Sequence, residues 1–256
     1  MKEKIKIWIK NYVRDFKISN QTFTEWDEPL IGFASATDPL FLKMKTVIGK
    51  THKHPLELLK NANTVIVYFI PFKKEMVKTN EKGRISSKEW VISYLETNDL
   101  ILKLNFMIEE KLKFLGFKSV KMPPTHNFSK KRLISDWSHK HVGYIAGLGN
   151  FGLHKMLITD NGCCGRIGSI ITSVKIEPIK KREKVYCLHY YNKSCSKCVE
   201  NCKFGALTLE KFDRHRCFEI CLENAKAYSN LGFADVCGKC ISIVPCSFKN
   251  PVISKL

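Results

Sequence analysis

The sequence predicts an α+β protein in two parts, a domain of mixed helices and strands over residues 1–180 and a small cysteine-rich module over residues 181–256. Three observations predict it. Amphipathic helical segments are interspersed with short β-branched or aromatic runs through the first part. Nine of the 11 cysteines fall between Cys187 and Cys246. A charged run, Lys180, Lys181, Arg182, Glu183 and Lys184, reads as the linker between the parts.

The elements follow in order. Residues 2–18 place Ile5, Trp8, Ile9, Tyr12, Val13 and Phe16 on one helical face. Residues 55–60 read as a short helix. Residues 64–70 are β-branched and aromatic, a buried strand closed by Pro71. Ser86 or Ser87 opens a long helix whose apolar pattern runs from Trp90 to Leu115 and ends at Gly116. Asn98 and Asp99 mark the point where it would divide into two. Residues 117–122 read as a strand ended by Pro123 and Pro124. Asp136 or Ser138 caps a helix through Ala146 that stops at Gly147. Residues 153–159 and 167–176 read as strands. Strand order does not follow from the pattern.

Composition narrows the function classes. At 44% hydrophobic, the 256 residues can bury a real core. No stretch approaches the roughly 18–20 apolar residues of a membrane span. The N-terminus alternates charged and apolar residues and lacks the features of a signal peptide, so a cytoplasmic location is expected. The net charge of +19 attracts nucleic acid, an acidic protein or an anionic small molecule. It fits equally well a surface solvated by lysines.

Without a secretion signal, the cysteines read as metal ligands rather than a disulfide framework. The first half of the module is Cys187-x7-Cys195-x2-Cys198-x3-Cys202, and the second is Cys217, then Cys237-x2-Cys240-x5-Cys246. Tight Cys-x2-Cys turns aim successive thiolates at one [4Fe–4S] cluster. In two-cluster ferredoxins the last cysteine of such a run ligates the other cluster. Applied here, cluster one takes Cys187, Cys195, Cys198 and the distant Cys246, and cluster two takes Cys202, Cys217, Cys237 and Cys240. The spacing is unusual. Asn192 stands where the first ligand would fall, and Lys203 replaces the proline that commonly follows the last one. The alternative is one zinc held by Cys195, Cys198, Cys237 and Cys240, which leaves the other four unexplained. Cys221 reads as a buried apolar residue. Cys163 and Cys164 read as loop filler, with a redox or substrate-thiol role as the alternative.

Gly147, Leu148, Gly149, Asn150, Phe151 and Gly152 match G-x-G-x-x-G literally. A dinucleotide site needs a strand before the loop and a helix after it. Here a helix enters and a strand-like segment leaves. His139 and His141, two residues apart, do not share a helix face; a metal site there competes with phosphate contacts or plain solvation.

One resemblance is specific. The run Ser138-His-Lys-His-Val-Gly-Tyr-Ile-Ala-Gly-Leu-Gly-Asn-Phe-Gly-Leu153, then Arg166-Ile-Gly-Ser-Ile-Ile-Thr172, then the double-cluster module, resembles the epoxyqueuosine reductase family. That family is related to the corrinoid reductive dehalogenases. The resemblance implies a base-off cobalamin between a nitroreductase-like α/β domain and a bacterial-ferredoxin-like module, fed with electrons by two [4Fe–4S] clusters. It implies that Ser138, Gly147, Leu148, Gly149, Asn150, Phe151, Gly152, Gly168 and Ser169 lie against the corrin. Asp136 is the nearest match to the family's proton-donating aspartate, at an offset that differs by a few residues. The helical-repeat region that grips tRNA in longer members is not found after Cys246, and no twin-arginine signal is present.

The leading expectation is therefore a cobalamin-dependent iron–sulfur reductase acting on a small molecule or modified base. The alternatives are an electron carrier serving a redox partner protein, a protein that reduces corrinoid for another enzyme, and, less favoured, an epoxyqueuosine reductase acting on tRNA.

Overall fold

The computed structural model describes residues 1–126, 128–179 and 184–253; residues 180–183 of the expected linker lie outside these. Helix α1 (Lys2–Asn20) buries Ile5, Ile9, Val13 and Phe16, an i, i+4 stripe, and ends where Gln21 turns left-handed. Strand β1 (Leu30–Ser35) and helix α2 (Leu40–Val47) follow. Sequence reading missed both, because β1 is short and interrupted by Gly32. That glycine is required: a Cβ there would sit 2.6 Å from the Ala146 carbonyl oxygen. Helix α3 (Pro55–Leu58) is capped by His54 and leads into strand β2 (Thr64–Pro71), which is buried along its whole length.

A short helix α4 (Lys74–Thr79) precedes α5 (Lys88–Phe114), which Ser87 caps by accepting the Trp90 N–H at 3.1 Å. No break occurs at Asn98 and Asp99. The buried stripe Trp90, Tyr94, Thr97, Ile101, Leu104, Ile108 and Leu112 continues in phase past them, and Asp99 pairs with Lys103 one turn on. Gly116, at φ +81°, stops the helix. Strand β3 (Ser119–Lys121) and the small hairpin β4 (Phe128–Ser129) and β5 (Ile134–Ser135) lead to α6 (His139–Ile145). A second hairpin, β6 (Gly149–Phe151) and β7 (Leu157–Thr159), precedes β8 (Gly165–Thr172). Both expected strands here are shorter than the sequence indicated. Residues 153–156 make the hairpin turn, and beyond Thr172 the chain leaves the sheet where Thr172 Oγ1 accepts the Val174 N–H.

The main sheet has the order β1-β2-β8-β3, with every neighbouring pair antiparallel. This mixed architecture of helices and open sheets is the α+β class the sequence predicts. Side chains of β2 alternate between two cores. Ile66, Tyr68 and Ile70 pack with α1 and α5, while Val65, Val67 and Phe69 pack with α2 and α6. Burial on both faces explains the unbroken apolar run. A third core joins Phe72, Trp90, Leu153, Cys163 and Cys164 to Tyr186, Cys187, Cys198 and Ile241.

Two polar networks fix the sheet. Asn105 of α5 accepts the Tyr68 hydroxyl at 2.9 Å and donates to the carbonyls of Met122 and Ser169, each at 3.2 Å. Gly168 faces Tyr68 in the β2–β8 register, and a Cβ there would lie 2.5 Å from the tyrosine ring. On the other face, Trp137 Nε1–H donates to Ser169 Oγ at 2.9 Å, and Ser169 meets His139 Nδ1 at 2.9 Å. The opposite nitrogen, Nε2, donates to the Pro123 carbonyl at 2.8 Å. That carbonyl places the proton on Nε2, so the Ser169 hydroxyl donates to Nδ1 and the imidazole is neutral. Burial, with Arg166 nearby, pushes the His139 pKa down from 6.5 to about 4 against the opposing Pro123 bond.

Two outcomes follow. Asn105→Ala strands two backbone carbonyls and a tyrosine hydroxyl and lowers the unfolding free energy by roughly 2–4 kcal/mol in urea melts. Because the folded His139 pKa is depressed, the stability it contributes is present above pH 6.5 and is lost as pH falls toward about 4. The urea midpoint of the native chain therefore drops across that window, and that of His139→Gln drops less.

Candidate functional site

Apart from one 14-residue helix, the module beyond residue 184 is short helices and turns. Cys187 precedes α7 (Leu188–Asn192), Cys198 lies in α8 (Lys197–Glu200), and Cys202 follows it. Asp213 caps α9 (Arg214–Ala227) by accepting the His215 and Arg216 N–H groups, each at 3.0 Å, which places Cys217 and Cys221 one turn apart on one face. Cys240 sits in a single 3₁₀ turn, Lys239–Ile241. Gly238, at φ +73°, lies so close under the Trp90 ring that a Cβ would be 2.2 Å from it. Lys239 pins this turn by donating to the carbonyls of Asn80 and Lys82 at 2.9 and 2.7 Å.

All 11 cysteines are free. Cys187, Cys195, Cys198 and Cys246 line one small cavity with Leu153, His154 and Leu188. Burial first, then the neighbouring Cys246, Cys187 and Cys195, pushes the Cys198 thiol up to about 12. Burial likewise holds the Cys240 thiol well above its ordinary range, reinforced by Cys237, Cys217 and Cys202. Cys187, Cys195, Cys198 and Cys246 thus share one cavity, while Cys202 is an electrostatic neighbour of Cys237 and Cys240. Cys221, read from sequence as an apolar filler, stands with Cys217, Cys237 and Cys240 on the wall of a larger cavity.

Cys163 and Cys164 are not loop filler. The Cys163 N–H donates to the Cys246 carbonyl at 3.0 Å, and the Cys164 thiol donates to the Ile241 carbonyl at 3.1 Å. His154 Nε2 lies 3.3 Å from Cys246 Sγ, and with Cys163 Sγ these three atoms are within 4.8 Å of one another. Hydrogen bonding from Cys163, with a further bond from His154, favours the thiolate of Cys246. No sequence spacing announces this meeting, which requires the β6–β7 hairpin to dock on the turn before Cys246.

The larger cavity, about 420 Å³, lies between the sheet domain and the cysteine module. Phe72, Trp90, Tyr94, Met156 and Phe218 make apolar walls, with Arg166, Arg214 and Asp235 as the charged groups. The Tyr94 hydroxyl donates to Asp235 Oδ1 at 2.6 Å, and the Arg166 guanidinium stacks 4.4 Å from the Tyr94 ring centroid. Burial raises the Tyr94 pKa and lowers that of Arg166. None of these groups stood out in the sequence. A second cavity, about 520 Å³, shares Leu133 and Arg214 with the first and is lined by Ser138, Lys140, His141, Phe151, Gly152 and Lys155.

The residues expected against a corrin divide accordingly. Ser138, Phe151 and Gly152 reach the second cavity. Gly147 turns at φ +75°, and Gly149 lets β6 meet β7, since a Cβ would fall 2.0 Å from the Ile158 oxygen. Leu148 is core, and Asn150 donates to the Lys184 carbonyl at 2.9 Å. Gly168 and Ser169 lie inside the sheet, occupied by Tyr68 and by Trp137 with His139. The loop runs from helix into hairpin, the opposite of a dinucleotide fold. Asp136 is exposed and lines neither cavity; Ser138, not Asp136, is the N-cap residue of α6. His141 Nδ1 contacts Ser138 Oγ at 2.8 Å, while His139 faces Ser169.

No protein-family model and no curated protein sequence matches the chain. Solved structures do. An epoxyqueuosine reductase from Streptococcus thermophilus is 19% identical with a TM-score of 0.54, over 93% of this chain and 66% of that one. An epoxyqueuosine reductase bound to an epoxyqueuosine-modified tRNA-Tyr stem loop is 17% identical with a TM-score of 0.60, over 96% of this chain and 65% of that one. A reductive dehalogenase, whose structure is described as suggesting a mechanism for B12-dependent dehalogenation, is 16% identical with a TM-score of 0.59, over 89% of this chain and 32% of that one. The chain thus spans just under two thirds of those reductases and about a third of that dehalogenase. Its architecture is that of the epoxyqueuosine reductases and the reductive dehalogenases.

Proposed function

We propose that this chain is a cobalamin-dependent iron–sulfur reductase, with residues 1–180 holding corrin and substrate and residues 181–256 holding two [4Fe–4S] clusters. One observation carries the reading. Cys187, Cys195, Cys198 and Cys246 line one small cavity, and Cys217, Cys237 and Cys240 wall an apolar cavity at the junction with the sheet domain.

The donor sets fit the clusters. Buried thiols that hold one another protonated, as Cys198 and Cys240 are held, favour a cationic metal core that takes them as thiolates. Trp90 Nε1 is buried beside the Cys237–Cys240 turn without a hydrogen-bond partner, a donor suited to a sulfide. The cavities also fit a corrin. Apolar walls on one side adjoin Ser138, Phe151 and Gly152 on the other, with Lys155 and Arg214 placed to meet an anionic phosphate. When bound, cobalamin supplies a strongly reducing cobalt centre.

The chain's own residues do the rest. Phe72, Met156 and Phe218 exclude water from the reacting space. Tyr94 holds a proton at its hydroxyl, shared with Asp235 Oδ1, and Arg166 stabilises negative charge that develops when that proton leaves. In this reading Tyr94 takes the proton-donating role for which the resemblance offered Asp136. Gly147, Leu148, Gly149 and Asn150 shape the hairpin that presents Phe151 and Gly152, and Gly168 and Ser169 support it from the sheet. The cavity favours a small molecule or a single modified base as substrate.

A second reading, epoxyqueuosine reduction on tRNA, draws on Lys131, Arg132, Lys211 and Arg214, which edge an open groove beside the second cavity. Restoration of queuosine in a reductase-deficient strain tests it.

Anaerobic reconstitution with iron, sulfide and hydroxocobalamin is expected to give about eight irons per chain and a corrin spectrum that survives desalting. Iron without retained corrin contradicts the reductase and leaves an electron carrier. Cys217→Ala is expected to halve the iron to about four, whereas Cys221→Ala keeps about eight.

A further inference from the structure

His154 lies on the walls of both the small sulfur cavity and the 420 Å³ cavity and is only 4% exposed. It belongs to neither cysteine set. Its ring is packed onto Gly152, where a Cβ would come within 2.6 Å of it. The Met156 backbone N–H donates to His154 Nδ1 at 3.0 Å. An acceptor Nδ1 carries no proton in the neutral ring, so the proton is on Nε2. Nε2 lies 3.3 Å from Cys246 Sγ. The β6–β7 turn therefore delivers a fixed N–H donor, in a fixed tautomer, to one cysteine of one set.

Resting on the two-cluster reading, we infer that His154 is a positioning residue for the first cluster, its Nε2–H donating to Cys246 Sγ and holding that cluster's potential above the value its thiolates alone would set. Reduction adds one negative charge to the cubane, and the ligand sulfurs share it. A hydrogen bond to such a sulfur strengthens as that charge grows, so it stabilises the reduced form over the oxidised one. The sulfur partner of His154 is Cys246, assigned to the first cluster, so the effect falls on that cluster. The Cys163 thiol, within 4.8 Å of both, is a second donor to the same sulfur.

The test is an anaerobic, EPR-monitored redox titration of the full-length reconstituted protein, comparing wild type, His154→Leu and His154→Gln. His154→Leu is expected to shift one of two midpoints to a more negative potential, leave the other in place and keep the wild-type iron content. His154→Gln, which retains an N–H at its tip, stays closer to wild type. Wild type grown on ¹⁵N-histidine is expected to show nitrogen hyperfine coupling on one reduced cluster, a readout that needs no variant. Two unmoved midpoints at full iron content, or no nitrogen coupling in wild type, overturn the inference alone. Loss of half the iron from His154→Leu also overturns it, by making His154 a ligand. A wild-type protein with no cubane signal overturns both the inference and the reading beneath it.

Discussion

Nine cysteines crowd the segment from Cys187 to Cys246, and burial of thiols such as Cys198 and Cys240 works against their ionisation. A thiolate alone in such a place is disfavoured by desolvation, and the neighbouring sulfurs add repulsion. In the proposed reading, iron–sulfur clusters supply the missing positive charge. Packing beyond residue 184 reflects this, since its helices other than α9 are a few residues long and its turns are tied to the sheet domain through Lys239, Asn80 and the Cys163 loop. A segment with so little apolar burial of its own draws order from its neighbour and, on the proposed reading, from the clusters.

The neighbour is the four-stranded sheet, and its role is to hold two loops in place. Burial of β2 on both faces fixes the register with β8, and that register sets Tyr68 over Gly168 and Ser169 under Trp137. The relay through His139 ties α6 to β8, so the hairpin after α6 leaves the sheet at a set angle. That hairpin carries Phe151 and Gly152 to one cavity and His154 to the cysteines. Functional geometry at the junction is thus inherited from a packed sheet rather than from the cysteine-rich module.

Much of this was legible in the residues themselves. Strict period fixed α1, the apolar run fixed β2, and the Ser87 cap with Gly116 bounded α5. Spacing placed Cys187, Cys195, Cys198 and Cys246 together, and these four line one cavity. What sequence did not disclose depends on contacts between distant segments. Nothing near His154 points to Cys246, ninety-two positions away. Tyr94, Arg166 and Asp235 meet only because α5, β8 and the turn before Cys237 converge. Gly168 and Ser169 mislead in the opposite sense: a motif suggestive of a cofactor contact is explained by the volume of Tyr68 and by a hydroxyl that two side chains need.

The proposed electron path requires sulfur-bound iron in two separate places. Diffraction at the iron absorption edge, from crystals grown without oxygen, locates it. The anomalous density is expected as two compact peaks, one among Cys187, Cys195, Cys198 and Cys246 and the other among Cys202, Cys217, Cys237 and Cys240. A lone tetrahedral ion bound by Cys195, Cys198, Cys237 and Cys240, with signal only at the zinc edge, contradicts it.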